Sequence, residues 1–195
     1  DRTWETFGGC HVLFNNAGIE VSRRLVDSSD EEWRQLLDVN LNGCIALSRE
    51  ALPHLKSPGG VIVNIASALG LAGCVGFSVY SASKAGVLLL NKQLAAEWGP
   101  RGVRSNAVCP GMIRTALSSK FYEVPGFEAA RAAVTASRRV GEPSDIAEPA
   151  VFLLSDRAAY INGTELLVDG GLDCMLMDMV PRPGYNQMTA QGDKQ

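Results

Sequence analysis

Four short apolar runs, each ending in small or polar residues, constrain this chain most: HVLFNNAG from His11, GVIVNIAS from Gly60, VRSNAVCPG from Val103 and TELLVDGG from Thr164. Apolar runs of this length that do not alternate with polar residues are strands buried on both faces, as in parallel sheets. Helical patterns fill the gaps, over 29–56, 80–98 and 144–155. A strand that is followed by a parallel neighbour needs a crossover, so the alternation predicts an α/β fold, a doubly wound parallel sheet with helices on both faces.

Local signals set the boundaries. SSDEEW offers a capping residue followed by acids at the positive end of the first helix, and Gly99-Pro100 with Gly102 closes the second. Pro149 falls inside the third pattern, where it removes a backbone bond and is expected to bend the first turns. The stretch 115–139 shows no strand, is broken at Pro125-Gly126 and is rich in alanine, which predicts an excursion over the strand ends serving as a substrate lid. With 195 residues, 46% of them hydrophobic, one compact domain is expected over 1–174. Residues 175–195 form a C-terminal extension whose Met-rich start should fill a core or surface groove and whose last ten residues should be disordered.

A net charge of -3 argues against nucleic acid and anionic membranes as partners. No apolar run approaches the roughly 18 residues of a membrane span, and the expectation is a soluble cytoplasmic protein. Cys10, Cys44, Cys74, Cys109 and Cys174 lack ligand spacing and read as reduced core thiols, His11 and His54 are isolated, and no metal site is expected.

The chemistry centres on Ser67, Tyr80 and Lys84. Residues four apart share a helix face, so the Lys84 ammonium beside the Tyr80 phenol is expected to lower a pKa that otherwise lies near 10. Ser67, at the end of the preceding run, is placed to donate to the same substrate oxygen. Ligands of parallel α/β sheets bind outside the carboxyl ends of the strands. The segments at 15–18, Ser67, Pro110-Gly111 and 169–171 all fall there.

In order, NNAG, Asn40 in LLDVNLNG, Ser67, the YxxxK of Tyr80 and Lys84, PGxxxT and the terminal DGG resemble the short-chain dehydrogenase/reductase family, from about Phe7 to Gly171. The resemblance implies a Rossmann-like fold, NAD or NADP as cofactor, and hydride transfer between nicotinamide and an alcohol or ketone. It makes Tyr80 the general acid/base and Lys84 the residue that tunes it and bonds the nicotinamide ribose. Ser67 then orients the substrate oxygen, and Asn40 bends its helix and holds a water in a proton relay. Asn15, Ala17 and Gly18 would pack on the adenosine side, and Pro110, Gly111, Ile113 and Thr115 would contact the nicotinamide. It also implies a homo-oligomer, dimer or tetramer, built through the helices that begin at Ser29 and Tyr80. Asp169-Gly170-Gly171 is read as structural, and Arg138 and Arg139 as surface residues. The wall ALGLAGCVGF and the lid residues Leu117, Phe121, Tyr122 and Phe127 suit a fairly apolar substrate, cyclic skeletons included.

The family begins with a strand, a TGxxxGxG turn and a helix, and no such motif occurs in this chain. NNAG stands at residue 15, where about three strand-helix units, roughly eighty to ninety residues, are expected to precede it. The expectation is therefore the C-terminal portion of the fold, with the first three units missing, an exposed sheet edge, and no measurable NAD or NADP binding by the isolated chain. The competing reading is a non-catalytic, truncated member acting as an interaction or structural subunit.

Overall fold

Each of the four apolar runs is a strand in the computed structural model, which describes residues 2–55 and 59–181. β1 (Val12–Asn15), β2 (Val61–Ile65), β3 (Arg104–Pro110) and β4 (Glu165–Val168) form one parallel sheet in sequential order. A short helix, α1 (Arg2–Phe7), precedes β1 and was not expected, since six residues are too few to carry a helical period. α2 (Asp30–Leu37) opens on a capping box in which Ser29 and Glu32 bond each other's backbone amides. α3 (Gly43–Ala51) leads to β2, and α4 (Tyr80–Trp98) joins β2 to β3. The lid holds two short helices, α5 (Ser119–Tyr122) and α6 (Phe127–Ala133), and α7 (Pro143–Leu154) leads to β4.

Helices pack on both faces of the sheet, as the run pattern predicted, with the α7 face left open over β1. On one face Leu52, Leu55 and Leu94 pack on Ile62, while Cys44, Val87 and Leu88 pack on Ala107 and Cys109. On the other, Ala150 and Leu153 of α7 pack on Val61, Val63 and Val108. All three crossovers advance in the same direction across the sheet, yet α7 lies on the face opposite α4. The last crossover therefore has the opposite hand to the preceding one, an exception to a strong rule. Arg104, at the start of β3, secures it by donating to the Leu153 and Ser155 carbonyls at the end of α7, at 2.8 and 3.1 Å.

β1 is a sheet edge among the described residues, and Val12 and Phe14 on its α7 side are 41% and 42% exposed. Its inner side is tied by a buried polar network, in line with the reading that the asparagines of NNAG tie the strand end to its neighbours. Asn15 donates to Asn64 (2.8 Å) and Ser48 (3.3 Å), and Asn64 donates to Asn91 (3.2 Å) and Ser105 (3.4 Å). Ser105 in turn donates to Asn91 at 2.8 Å.

Three expectations are corrected. The helix expected over 29–56 is interrupted by a π-helical turn, Asp38–Asn42, which shifts the hydrophobic period in mid-helix; its expected end at residue 56 lies outside the described residues. Cys74 and Cys174 are exposed rather than core thiols, because one lies in the loop between β2 and α4 and the other in a 3-10 turn after β4, and Cys10 is only partly buried. The Met-rich run fills no groove: Leu176, Met177 and Met179 are exposed, following a short 3-10 turn that leads away from the core. The expected disorder of the last ten residues lies outside the described residues. α7 runs through Pro149 without interruption, and no helix among the described residues is long and apolar enough to cross a membrane.

Candidate active site

A cavity of about 510 Å³ opens at the carboxyl ends of β1, β2 and β3. Its lining gathers Ser67, Tyr80 and Lys84 together with Pro110, Gly111, Ile113 and Thr115. Gly18 lines it from the loop after β1. Asn15 and Ala17 are not brought to the wall. Asn15 is buried in the polar network, with its Oδ1 lacking a partner among the described residues, and Ala17 is exposed. Asn16, the second asparagine of the same NNAG segment, lines the cavity in their place.

Tyr80 is the first residue of α4, so its ring leaves the helix at the strand ends and Lys84 follows one turn inside. Lys84 is 4% exposed, donates to the Ile65 carbonyl at 2.9 Å, and has its Nζ 5.8 Å from the Tyr80 ring centroid. The expected lowering of the phenol pKa is not found. Burial pushes Tyr80 above its ordinary value; the Ser67 hydroxyl pulls in the other direction and Glu20 adds to the rise. Burial also pushes Lys84 below its ordinary value. Spacing put lysine and tyrosine on one face correctly, but burial is the largest influence on the phenol. The phenol is consequently a proton donor at neutral pH.

Ser67 is 7% exposed and accepts from the Leu69 amide at 3.1 Å, so it caps a 3-10 turn while facing the cavity. Asn40 lies at the centre of the π-helical turn and is fully buried. Its Oδ1 accepts from the Ile19 amide at 2.8 Å; its Nδ2 donates to the Ile19 carbonyl at 2.9 Å and to Ser83 at 3.2 Å. Ser83 also donates to the Tyr80 carbonyl at 2.7 Å. Asn40 thus ties the loop after β1 to the first turn of α4. A Cβ on Gly18 would stand 3.4 Å from both Asn40 Oδ1 and Lys84 Nζ, so the absence of a side chain there leaves space beside two polar atoms.

Gly111 is required by close approach, since a Cβ there would fall 2.6 Å from Asp169 Cα. Asp169 is structural: its carboxylate accepts from the Gly171 and Asp173 amides, each at 2.8 Å. Arg139 is a surface residue paired with Asp145, at 2.6 and 2.8 Å, and this pair holds the Asp145 carboxyl well below the usual carboxylate range. Of the lid aromatics, Phe121 lines the cavity together with Leu117, whereas Tyr122 and Phe127 do not.

A family model described as enoyl-(acyl carrier protein) reductase matches residues 1–173. The chain is 42% identical over 175 residues to a 3beta-hydroxysteroid dehydrogenase of Eggerthella lenta, covering 88% of this chain and 67% of that protein. The chain belongs to the short-chain dehydrogenase/reductase family. Among solved structures of its relatives, the aldohexose dehydrogenase of Thermoplasma acidophilum superposes with a TM-score of 0.85 at 36% identity, covering 89% of this chain and 72% of that one. A 4-hydroxyisoleucine dehydrogenase complexed with NADH gives a TM-score of 0.81 at 31% identity, with the same two coverages, 89% and 72%. This family member spans about two thirds of the length of the curated relatives it matches.

Proposed function

We propose that the whole protein is an NAD- or NADP-dependent oxidoreductase that interconverts a secondary alcohol and a carbonyl compound, with Tyr80 as its acid/base. The observation that carries this reading is the convergence of Ser67, Tyr80 and Lys84 on one cavity that is also lined by Pro110, Gly111, Met112, Ile113 and Thr115. The bound nicotinamide supplies or accepts the hydride. The residues fit such a cofactor. Lys84 uses one of its three donors on Ile65 among the described residues, leaving donors for the hydroxyls of a ribose. Gly18, Pro110, Gly111, Ile113 and Thr115 present backbone or small and apolar groups against which a flat ring can lie, while Asn15 fixes the end of β1 from which the loop carrying Gly18 leaves.

In the reductive direction Ser67 and Tyr80 both donate to the carbonyl oxygen, which polarises it and fixes its position. Tyr80 then gives up its proton, and the buried Lys84 ammonium stabilises the phenolate left behind. Asn40 Oδ1 and Lys84 Nζ flank the space beside Gly18, where one water can link them into a path for reprotonation.

The phenol form serves reduction and the phenolate serves oxidation. With the Tyr80 pKa raised, reductive turnover should stay level between about pH 6 and 9 while oxidative turnover climbs with pH. Nicotinamide absorbance with the pair cyclohexanone and cyclohexanol measures both directions. Absence of turnover across a panel of alcohols and ketones with either cofactor would sink the reading. We further propose a homo-oligomer through α3 and α4, whose outer sides expose Ile45, Leu47 and Leu89 at 43%, 54% and 64%. Sedimentation should show a dimer or tetramer, and Leu89→Glu should shift it toward the monomer; a concentration-independent monomer refutes this assembly.

A further inference from the structure

Arg131 stands in the wall of the catalytic cavity with no carboxylate paired to it among the described residues. It lies on α6 four residues after Phe127, on the same helix face. Its guanidinium carbon is 4.8 Å from the Phe127 ring centroid, 4.9 Å from that of Phe121 and 5.4 Å from that of Tyr122. Nη1 donates to the Tyr122 hydroxyl at 3.0 Å. The rings of Phe121 and Phe127 stack on each other, so the cation is held by a preassembled aromatic group. Two neighbouring arginines are treated differently: Arg114 pairs with Glu128 and Glu142, and Arg139 with Asp145. Lys120 and Arg138 also lack a carboxylate partner among the described residues, but of these cations Arg131 alone lines the cavity.

A guanidinium carries five N–H donors in a planar fork that matches a carboxylate, and one is used on Tyr122. Around it the cavity is largely apolar, with Leu117 and Phe121 beside it. Glu20 lines the same cavity and is close enough to raise the Tyr80 pKa. Lys84, the other cation of the lining, stands beside the phenol ring and is bonded to the Ile65 carbonyl. Arg131 is the cation that the lid offers to a carboxylate.

We propose that Arg131 is the anion-recognition residue of this cavity, selecting ligands that carry a carboxylate on an apolar body. That these ligands are substrates, apolar hydroxy or oxo acids, rests on the hydride-transfer reading; the anion contact does not. Two arms separate the claims. In calorimetric titration of the full chain, hydrocinnamate should bind and Arg131→Gln should weaken it roughly ten- to hundred-fold. Arg131→Lys should recover part of the loss, and binding of the neutral methyl ester should be the same in all three proteins. In the whole protein, Arg131→Gln should raise KM for levulinate by a similar factor with kcat level, and leave methyl levulinate and cofactor affinity unchanged. Equal losses for acid and ester, no loss for either, or a loss of cofactor affinity overturns the proposal. Arg131-dependent hydrocinnamate binding without turnover of any ketone upholds the anion site and rejects hydride transfer instead.

Discussion

Tyr80→Phe in the whole protein is expected to lower kcat about 10²–10⁴-fold, the range that a positioned acid/base contributes, with cofactor affinity and thermal unfolding little changed. The substitution removes one oxygen and leaves the ring. The tilted contact with Phe77, at 6.3 Å between centroids, and the position of Lys84 beside the ring both survive it. Ser67 still polarises the carbonyl oxygen, which is why a residual rate should persist, but no other group lining the cavity is a proton donor kept in its acid form by burial. Initial rates from nicotinamide absorbance, alongside a cofactor titration of the variant, make the measurement. Undiminished turnover removes Tyr80 from the mechanism, while loss of cofactor affinity in step with turnover makes it a binding residue instead.

Strands and crossovers were legible because burial on both faces writes a continuous apolar run, and the helix at 80–98 was legible end to end because Gly99-Pro100 stops it. The π-helical turn at Asn40 was not legible as such. One extra residue per turn breaks the helical period without any marker residue, although the family resemblance did point to a bend there. The hand of the last crossover was hidden for a different reason. Sequence shows that α7 is apolar but not which face of the sheet receives it.

Within the site, motif order located Ser67, Tyr80, Lys84 and the Pro110 segment, all of which meet in one cavity. The direction of the Tyr80 shift was misread because helical spacing reports proximity and says nothing of how much water each group loses. Arg131 was passed over for a related reason. An arginine in an alanine-rich stretch reads as a solvated surface residue, and only the packing of Phe121, Tyr122 and Phe127 around it gives it a place in the wall. Asn15 was recognised by motif, but its destination in the polar network depends on Asn64, Ser48 and Asn91, whose positions inside apolar segments gave no sign of a shared purpose.

Asn64→Leu should therefore be among the most destabilising single changes in this chain, at about 3 kcal/mol, from three buried hydrogen bonds at roughly 1 kcal/mol each. Asn64 is fully buried, accepts from Asn15 and donates to Asn91 and Ser105, so it joins β1, β3 and α4 through β2. Leucine keeps the number and branching of the side-chain heavy atoms and leaves no cavity, although its methyl groups are bulkier than the amide; Asn64→Ala should be worse because it adds one. Against a typical domain stability of about 5–15 kcal/mol such a loss is large. The network also pins register, because Asn15 sits directly opposite Asn64, and a one-residue slip of β1 would turn Asn15 to the other face of the sheet and bring Phe14 inward. Urea unfolding of both variants reads the effect, and β1 amides should lose hydrogen-exchange protection before those of β3. A midpoint for Asn64→Leu within error of the unsubstituted chain would show that the network adds no net stability and serves register alone.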